Sequence, residues 1–473
     1  MKVKFWGVRG SLAKPGPTTV CYGGNTACIQ ITPDSGQLII LDSGTGIHTL
    51  GHELLASGKK PLIGSLLITH THWDHIQGFP FFVPLFVPGN EWVIYGPGGM
   101  GYQLSNTLSG QMSYNYFPVT LESLAGTVRF TDLGEGTFNL DDVQVSTCYT
   151  NHPSLTLGYR LEVGSASVVY IPDHEPHSLH PMNSPVGAFP VHHEDQDHIR
   201  FIEDADLLIH DAQYTLDEYP DKIGWGHSPF EKVVDYAVAA GVKRLALFHH
   251  DPLRDDDALE RLVEAARKRA AGADHVPEIF AAADDMVIEL IEDPEITAPP
   301  VPPAESALIT ASMADHDKRV LIVDDDRQMV RLLEASLEVE EDIMFMHAYD
   351  GESAVEIASK EHPDLILLDL ELPEMHGLDV CRALRSHPDI RVNDVVIIAV
   401  TGKRFEEADV LQCFEAGATD YITKQFAASG LRQRVRGWLM RTSATAADRR
   451  RGFRRRSRGR RKSDSGRRLE DND

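Results

Sequence analysis

His70-Thr71-His72-Trp73-Asp74-His75 follows directly on the apolar run Ser65-Leu66-Leu67-Ile68-Thr69 and packs four metal-binding side chains into six residues. Imidazoles and carboxylates this crowded repel when protonated and need desolvating partners when neutral. Two divalent cations satisfy all four at once. From an extended segment His70 and His72 project to the same side and share one ion, while Asp74 and His75, past the bend, reach a second. Working outward, further strand-like runs each end in a ligand type. Val143 to Thr150 leads to His152, Ser167 to Ile171 leads to Asp173, Ala205 to Ile209 leads to His210 and Asp211, and Arg244 to Phe248 leads to His249 and His250. Strand ends at one edge of a sandwich are rigid places from which to hang a metal site.

The His-x-His-x-Asp-His run, Asn151-His152-Pro153, Ile171-Pro172-Asp173-His174, Gly226-His227-Ser228-Pro229 and Leu247-Phe248-His249-His250-Asp251-Pro252 together resemble the metallo-β-lactamase superfamily, in particular its ribonuclease Z and cyclic phosphodiesterase branch. The resemblance covers residues 1 to about 290 and implies an αββα sandwich. It implies that His70, His72 and His152 hold one ion, that Asp74, His75 and His249 hold the other, and that Asp173 bridges both. Alternation along the strand accepts either His249 or His250; the resemblance favours His249, which comes first after the strand. Two ions about 3.5–4 Å apart activate water at neutral pH and clamp phosphodiester oxygens during in-line attack, so hydrolysis is the natural reaction class. Histidine at position 72, where oxygen-reducing di-iron members of the superfamily carry a carboxylate, favours zinc or manganese over redox-active iron.

In the ribonuclease Z pattern a histidine matching His227 sits beside the phosphate, oriented by an acid matching Asp211. The resemblance thus casts His227 as general acid and Asp211 as its partner, with Asp74 serving both catalysis and metal binding. Ser228, Pro229 and Glu231 also read as a helix start, with Ser228 as N-cap and Glu231 closing a capping box. Gly23-Gly24-Asn25-Thr26 and Asp42-Ser43-Gly44-Thr45-Gly46 lack the lysine and spacing of a P-loop and read as tight turns under the site, with Asp42 accepting from a ligand imidazole. His192, His193 and His198 lie among acids in a stretch that reads as a solvated loop. His48 and His52 fit the exposed face of a helix whose Ile47, Leu50 and Leu54 face inward.

At 473 residues and 42% hydrophobic composition the chain exceeds what one core usually organises. Pro294, Pro299, Pro300, Pro302 and Pro303 punctuate a linker over 291–317, which separates a hydrolase domain (1–290) from a second domain (318–440). No segment reaches a membrane-spanning apolar length, and Met1 to Trp6 reads as a strand start rather than a secretory signal. Cys21, Cys28, Cys148, Cys381 and Cys413 are odd in number, lack CxxC spacing and fit a reducing cytoplasm, most of them as buried apolar residues.

Past the linker, Val320–Val323, Leu365–Leu368, Val395–Ala399 and Thr419–Ile422 read as buried strands separated by helical runs such as Gln328 to Leu337, giving a doubly wound parallel sheet. The polar residues at the strand ends, Asp324-Asp325, Asp369, Thr401 and Lys424, resemble those of the receiver domain of two-component response regulators, a (βα)5 fold. The resemblance implies that Asp369 accepts a phosphoryl group, that Asp324 and Asp325 hold Mg²⁺, that Thr401 senses the phosphate, that Lys424 pairs with it, and that Tyr421 is the aromatic switch. A sensor histidine kinase or phosphotransfer protein is the implied donor. Receivers usually place proline after the lysine, and Gln425 stands here; a cis bond before it would cost about 2.5–4 kcal/mol. The sequence therefore leaves the loop geometry at Lys424 open.

Residues 441–473 carry Arg449-Arg450-Arg451, Arg454-Arg455-Arg456 and Arg458-Gly459-Arg460-Arg461-Lys462 with almost nothing apolar, so they read as a disordered basic tail. Against a net charge of −26, this tail suits contact with the chain's own acidic surface, with nucleic acid or with an anionic membrane. The expected whole is a cytoplasmic α/β protein hydrolysing a small phosphodiester such as a cyclic nucleotide, controlled by its receiver through docking on the hydrolase or on a second receiver in a homodimer. The alternatives are an RNA-cleaving nuclease of the ribonuclease Z type and a non-catalytic ligand-binding signalling module.

Overall fold

The computed structural model describes residues 1–98, 103–177, 186–188, 190, 192–291, 318–337, 343–402, 412–424 and 428–445. Among the described residues, fourteen strands before residue 290 form two seven-stranded sheets. One contains β1 (Lys2–Gly7), β2 (Cys28–Thr32), β3 (Leu38–Leu41), β4 (Ile63–Leu67), β5 (Glu91–Pro97), β6 (Thr127–Leu133) and β14 (Val287–Glu289), in the order β14-β1-β2-β3-β4-β5-β6. The other contains β7 (Gly136–Leu140), β8 (Val143–Tyr149), β9 (Leu157–Val163), β10 (Ala166–Ile171), β11 (Leu207–Asp211), β12 (Arg244–Phe248) and β13 (Glu278–Ala281), in the order β13-β12-β11-β10-β9-β8-β7.

Alternation in the strands puts Phe5, Ile29, Leu41 and Leu67 of the first sheet against Tyr159, Val168, Ile209 and Phe248 of the second, and this forms the central core. The opposite faces are apolar too. Ile40, Leu66 and Ile94 pack with Ile47 and Leu50 of the helix Gly46–Ala56. Leu208, Leu245 and Ile279 pack with the helices Phe230–Ala239 and Asp256–Ala270. Strands buried on both faces need helices outside each sheet, which is the αββα order expected. On the first helix His48 and His52 are exposed while Ile47 and Leu50 are buried, as their spacing requires; Leu54 is half-buried.

The second domain is a five-stranded parallel sheet, β16-β15-β17-β18-β19, built from β15 (Lys318–Val323), β16 (Ile343–Ala348), β17 (Leu365–Asp369), β18 (Val396–Thr401) and β19 (Asp420–Thr423). Two apolar clusters cover its faces, one around Leu321, Ile366 and Ile397 and one around Ile322, Leu367 and Ile398. Four of these strands are legible in the sequence. The fifth, β16, lies at the sheet's edge with only Ala348 of its six residues buried, and its apolar run Ile343 to Met346 went unread. The last helix, Ala428–Thr445, runs past the expected end of the domain at 440. Linker residues 292–317 and tail residues 446–473 lie outside the described residues. Among the described residues no helix is long and apolar enough to cross a membrane.

Candidate metal centre

The ends of β4, β8, β10, β11 and β12 open at one edge of the sandwich, and the loops leaving them carry the predicted ligands. After β4 the chain passes through His70 and turns into the short helix Trp73–Ile76, in which Asp74 and His75 are buried. His72, at the N-cap, stays extended, and its Nδ1 lies 3.0 Å from His152 Nε2. Ligand atoms of His70, His72, His152 and Asp173 lie within 4.8 Å of one another, and so do those of Asp74, His75 and His249. Asp173 stands between the groups. Its Oδ2 is 3.7 Å from both His70 Nε2 and His152 Nε2, and its Oδ1 is 3.1 Å from His75 Nε2 and 3.4 Å from His249 Nε2.

The choice between His249 and His250 is made by the backbone. His249 adopts a left-handed conformation at φ 58°, which turns its ring toward Asp74, with Nε2 3.0 Å from Oδ2. His250 points away and its Nε2 meets the Ala282 carbonyl at 2.9 Å.

Three of the inward nitrogens are aimed by a contact on the other side of the ring, the usual support for a metal-binding histidine. His75 Nδ1 meets Asp42 Oδ2 at 2.8 Å, His152 Nδ1 meets the Gly226 carbonyl at 2.9 Å, and His249 Nδ1 meets Gln213 Oε1 at 2.9 Å. Gly226 is at φ 85°, and a Cβ there would lie 2.1 Å from His152 Nδ1, so only glycine fits. Asp42 also accepts from the Thr69 amide and hydroxyl and from the Tyr170 hydroxyl, joining the two sheets beneath the site. Replacing Asp42 by Asn is therefore expected to weaken metal binding by about 10–100-fold, the usual scale for such a partner. Competition against a chromophoric chelator reads this directly, and wild-type affinity in the variant would remove Asp42 from the site.

The donor chemistry fits divalent cations. Among the described residues, His70 Nε2 is buried without a hydrogen-bond partner. Burial, helped by neighbouring imidazoles, pulls the pKa of His70 well down, and burial holds His152 at about 3, so both present lone pairs. For His75, burial opposes the charge, but Asp173, Asp74 and Asp42 outweigh it and hold the ring well above the ordinary histidine value. The carboxylates thus call for positive charge between them, which cations supply in place of a proton.

His227 is brought to the same edge. Its Nδ1 is 3.1 Å from Asp211 Oδ2, and its ring stacks on that of His249 at 4.8 Å between centroids. Burial opposes its protonation, yet Asp211, then Asp173 and Asp74, raise the pKa to about 9. The expected capping box beside it does not form. The helix begins at Phe230 with Pro229 as N-cap and no side-chain cap; Ser228 Oγ instead donates to the His174 carbonyl, and Glu231 accepts from the Leu216 amide. The solvated-loop reading of the nearby histidines also fails. His193 is exposed, but His192 and His198 are buried, because 193–202 forms a helix whose inner face packs on the domain.

Glu175 escaped the sequence reading. It is buried, accepts from the Tyr219 hydroxyl and from the amides of Gly224 and Gly226, and so holds the loop that carries His227 and supports His152. Its only sequence signal is its position two residues after Asp173. The second domain touches this region. Asp420, Arg434 and Trp438 line a small cavity with Asn151, His152 and Thr156, and Trp438 lies 6.0 Å from His177 between ring centroids. Burial, followed by the nearby Glu175 carboxylate, raises the pKa of the Tyr421 hydroxyl.

At the far end of the parallel sheet, ligand atoms of Asp324, Asp325 and Asp369 also lie within 4.8 Å of one another. Lys424 Nζ reaches Asp324 Oδ2 at 2.8 Å and Asp369 Oδ2 at 2.9 Å, while Gln425 lies outside the described residues. Thr401 is buried at the end of β18.

A family model described as "Beta-lactamase superfamily domain" matches residues 39–250, and one described as "Response regulator receiver domain" matches 320–436. The chain is 38% identical over 130 residues to the alkaline phosphatase synthesis transcriptional regulatory protein PhoP of Bacillus subtilis, a match covering 28% of this chain and 52% of that protein. It thus spans about half the length of that relative. Among solved structures, the metallo-beta-lactamase fold protein YhfI of Bacillus subtilis is 19% identical with a TM-score of 0.43, covering 61% of this chain and 98% of that one. Human tRNase Z, short form, is 20% identical with a TM-score of 0.40, covering 61% and 99%. The chain therefore joins a beta-lactamase superfamily domain, matched over 39–250, to a response regulator receiver domain, matched over 320–436.

Proposed function

We propose that this chain is a dinuclear metal-dependent phosphodiesterase, acting on a cyclic nucleotide or related small phosphodiester under control of its receiver. The observation that carries the reading is Asp173, with one oxygen toward His70 and His152 and the other toward His75 and His249, set within 3.8 Å of His227 Nδ1. His70, His72, His152 and Asp173 would hold one cation, and Asp74, His75, His249 and Asp173 the other. Bound there, zinc or manganese ions supply Lewis-acid stabilisation of phosphodiester oxygens and lower the pKa of water. His227 Nδ1 lies 3.1 Å from Asp211 Oδ2, a contact that orients the ring and leaves Nε2 to carry a proton to a leaving alkoxide. Glu175 and Gly226 keep that imidazole and His152 in register.

We assign 1–290 to the hydrolase, 291–317 to the linker, 318–440 to the receiver and 441–473 to the basic tail, in a cytoplasmic protein. A turnover screen of the metal-replete full chain against cyclic nucleotides, a bis-ester and a tRNA precursor tests the reading. Metal-dependent hydrolysis of the small esters supports it. Turnover of the tRNA precursor alone would make the protein a nuclease, and tight nucleotide binding without turnover would make it a binding module.

Control by the receiver rests on the contact between the domains. Asp369 is the proposed phosphoacceptor, Asp324 and Asp325 the Mg²⁺ ligands, and Thr401, Lys424 and Tyr421 the groups that respond, with a sensor histidine kinase or phosphotransfer protein as donor. Added charge on Asp369 shifts an equilibrium of receiver surfaces only by its differential stabilisation of the two states, typically about 1–3 kcal/mol. Treatment with a small phosphodonor and Mg²⁺ is expected to change turnover or sedimentation in wild type and leave Asp369→Asn unchanged. A phosphorylated wild type identical to the variant in both would confine the receiver to recruitment or phosphate drainage.

A further inference from the structure

We propose that His177, His192 and Asp195 form a second cation site of the zinc class, separate from the catalytic groups and covered by the receiver. Each offers a ligand atom, these atoms lie within 4.8 Å of one another, and all three residues are buried. Among the described residues, His177 Nε2 and both ring nitrogens of His192 are buried with no hydrogen-bond partner. A neutral imidazole carries one donor and one acceptor, and burial without partners penalises each unmade bond. The chain has placed two such rings beside one carboxylate.

The arrangement is that of a site rather than of incidental packing. The rings of His177 and His192 stack at 4.9 Å between centroids with their planes 6° apart. Asp195 Oδ1 accepts from the His177 amide at 2.9 Å and lies 3.3 Å from the His177 ring Nδ1, which fixes that ring's orientation. Two imidazoles and a carboxylate are a borderline-soft donor set suited to zinc, with a fourth position left for water or another donor.

The surroundings give the site a purpose. The receiver's Phe414 ring meets His192 edge-on at 4.8 Å, and its Trp438 covers His177. A cation here ties the chain just after the Asp173 strand end to the start of the helix His193–Ile202, and so stiffens the surface on which the receiver rests. It does so without using any of the groups around Asp173.

Zinc titration of the chelator-stripped full-length protein, with bound metal counted by elemental analysis, is the test. His192→Gln and His177→Gln are each expected to bind one equivalent fewer than wild type while keeping metal-dependent turnover of a bis-ester. Zinc-edge anomalous diffraction from wild-type crystals grown with zinc is expected to show a peak among the three side chains. Equal stoichiometry in wild type and both variants, or no such peak, overturns the proposal; should either variant misfold by circular dichroism, the other variant and the diffraction experiment decide.

Discussion

Asp173→Ala is expected to abolish metal-dependent hydrolysis and to lower the bound metal from about two ions per chain toward one or none. Its Oδ2 faces His70 and His152 while its Oδ1 faces His75 and His249, and it is buried. Its loss leaves His75 with only Asp74 and Asp42 to favour positive charge, and removes the carboxylate that stands between the two groups. His72→Ala should give a graded version of the same result, because His72 serves only one group and stands at its exposed rim. Elemental analysis of the two purified variants, alongside turnover of a bis-ester, reads both effects. Full stoichiometric metal in both would sink the ligand assignment.

The run from His70 to His75 was legible because its message is local: a strand followed by a tight turn puts alternate side chains on one side and the next pair on another. The same holds for the strand ends at His152, Asp173 and Asp211, and for the acids and lysine of the receiver. What escaped is tertiary. Alternation could not choose between His249 and His250, since the choice is made by a left-handed backbone at His249. Ser228 and Glu231 have the spacing of a capping box, but a carbonyl from the β10 end and an amide from residue 216 compete for them. His192 and His198 sit among charges that read as solvent-facing, and only the packing of their helix buries them. Glu175 works through backbone amides fifty residues away in sequence, a contact with no local signature.

His227→Ala is expected to keep both metals and slow a substrate with an alkoxide leaving group by about 10²–10⁴-fold, the range for a missing proton donor. A nitrophenyl ester, whose leaving group needs no proton, should lose far less. The split between the two substrates is the diagnostic, because a residue that only positions the phosphate would slow both alike. Asp211→Asn offers a second variant: it keeps the side-chain shape but withdraws the carboxylate that most strongly favours the charged imidazole. Equal losses on both esters would reassign His227 to binding.

The candidate donors are divided between the two halves of the sandwich: His70, His72, Asp74 and His75 follow β4 in the first sheet, while His152, Asp173 and His249 follow strands of the second. Any ion lodged among them is a cross-link between sheets, and mass action makes it a term in the folding equilibrium as well as in catalysis. Well above the dissociation constant, each tenfold rise in free ion adds about 1.4 kcal/mol to the folded state if the unfolded chain binds none. Metal scarcity would then loosen the domain and silence it in the same step, so that supply of the ion governs how long the protein survives as well as how fast it works.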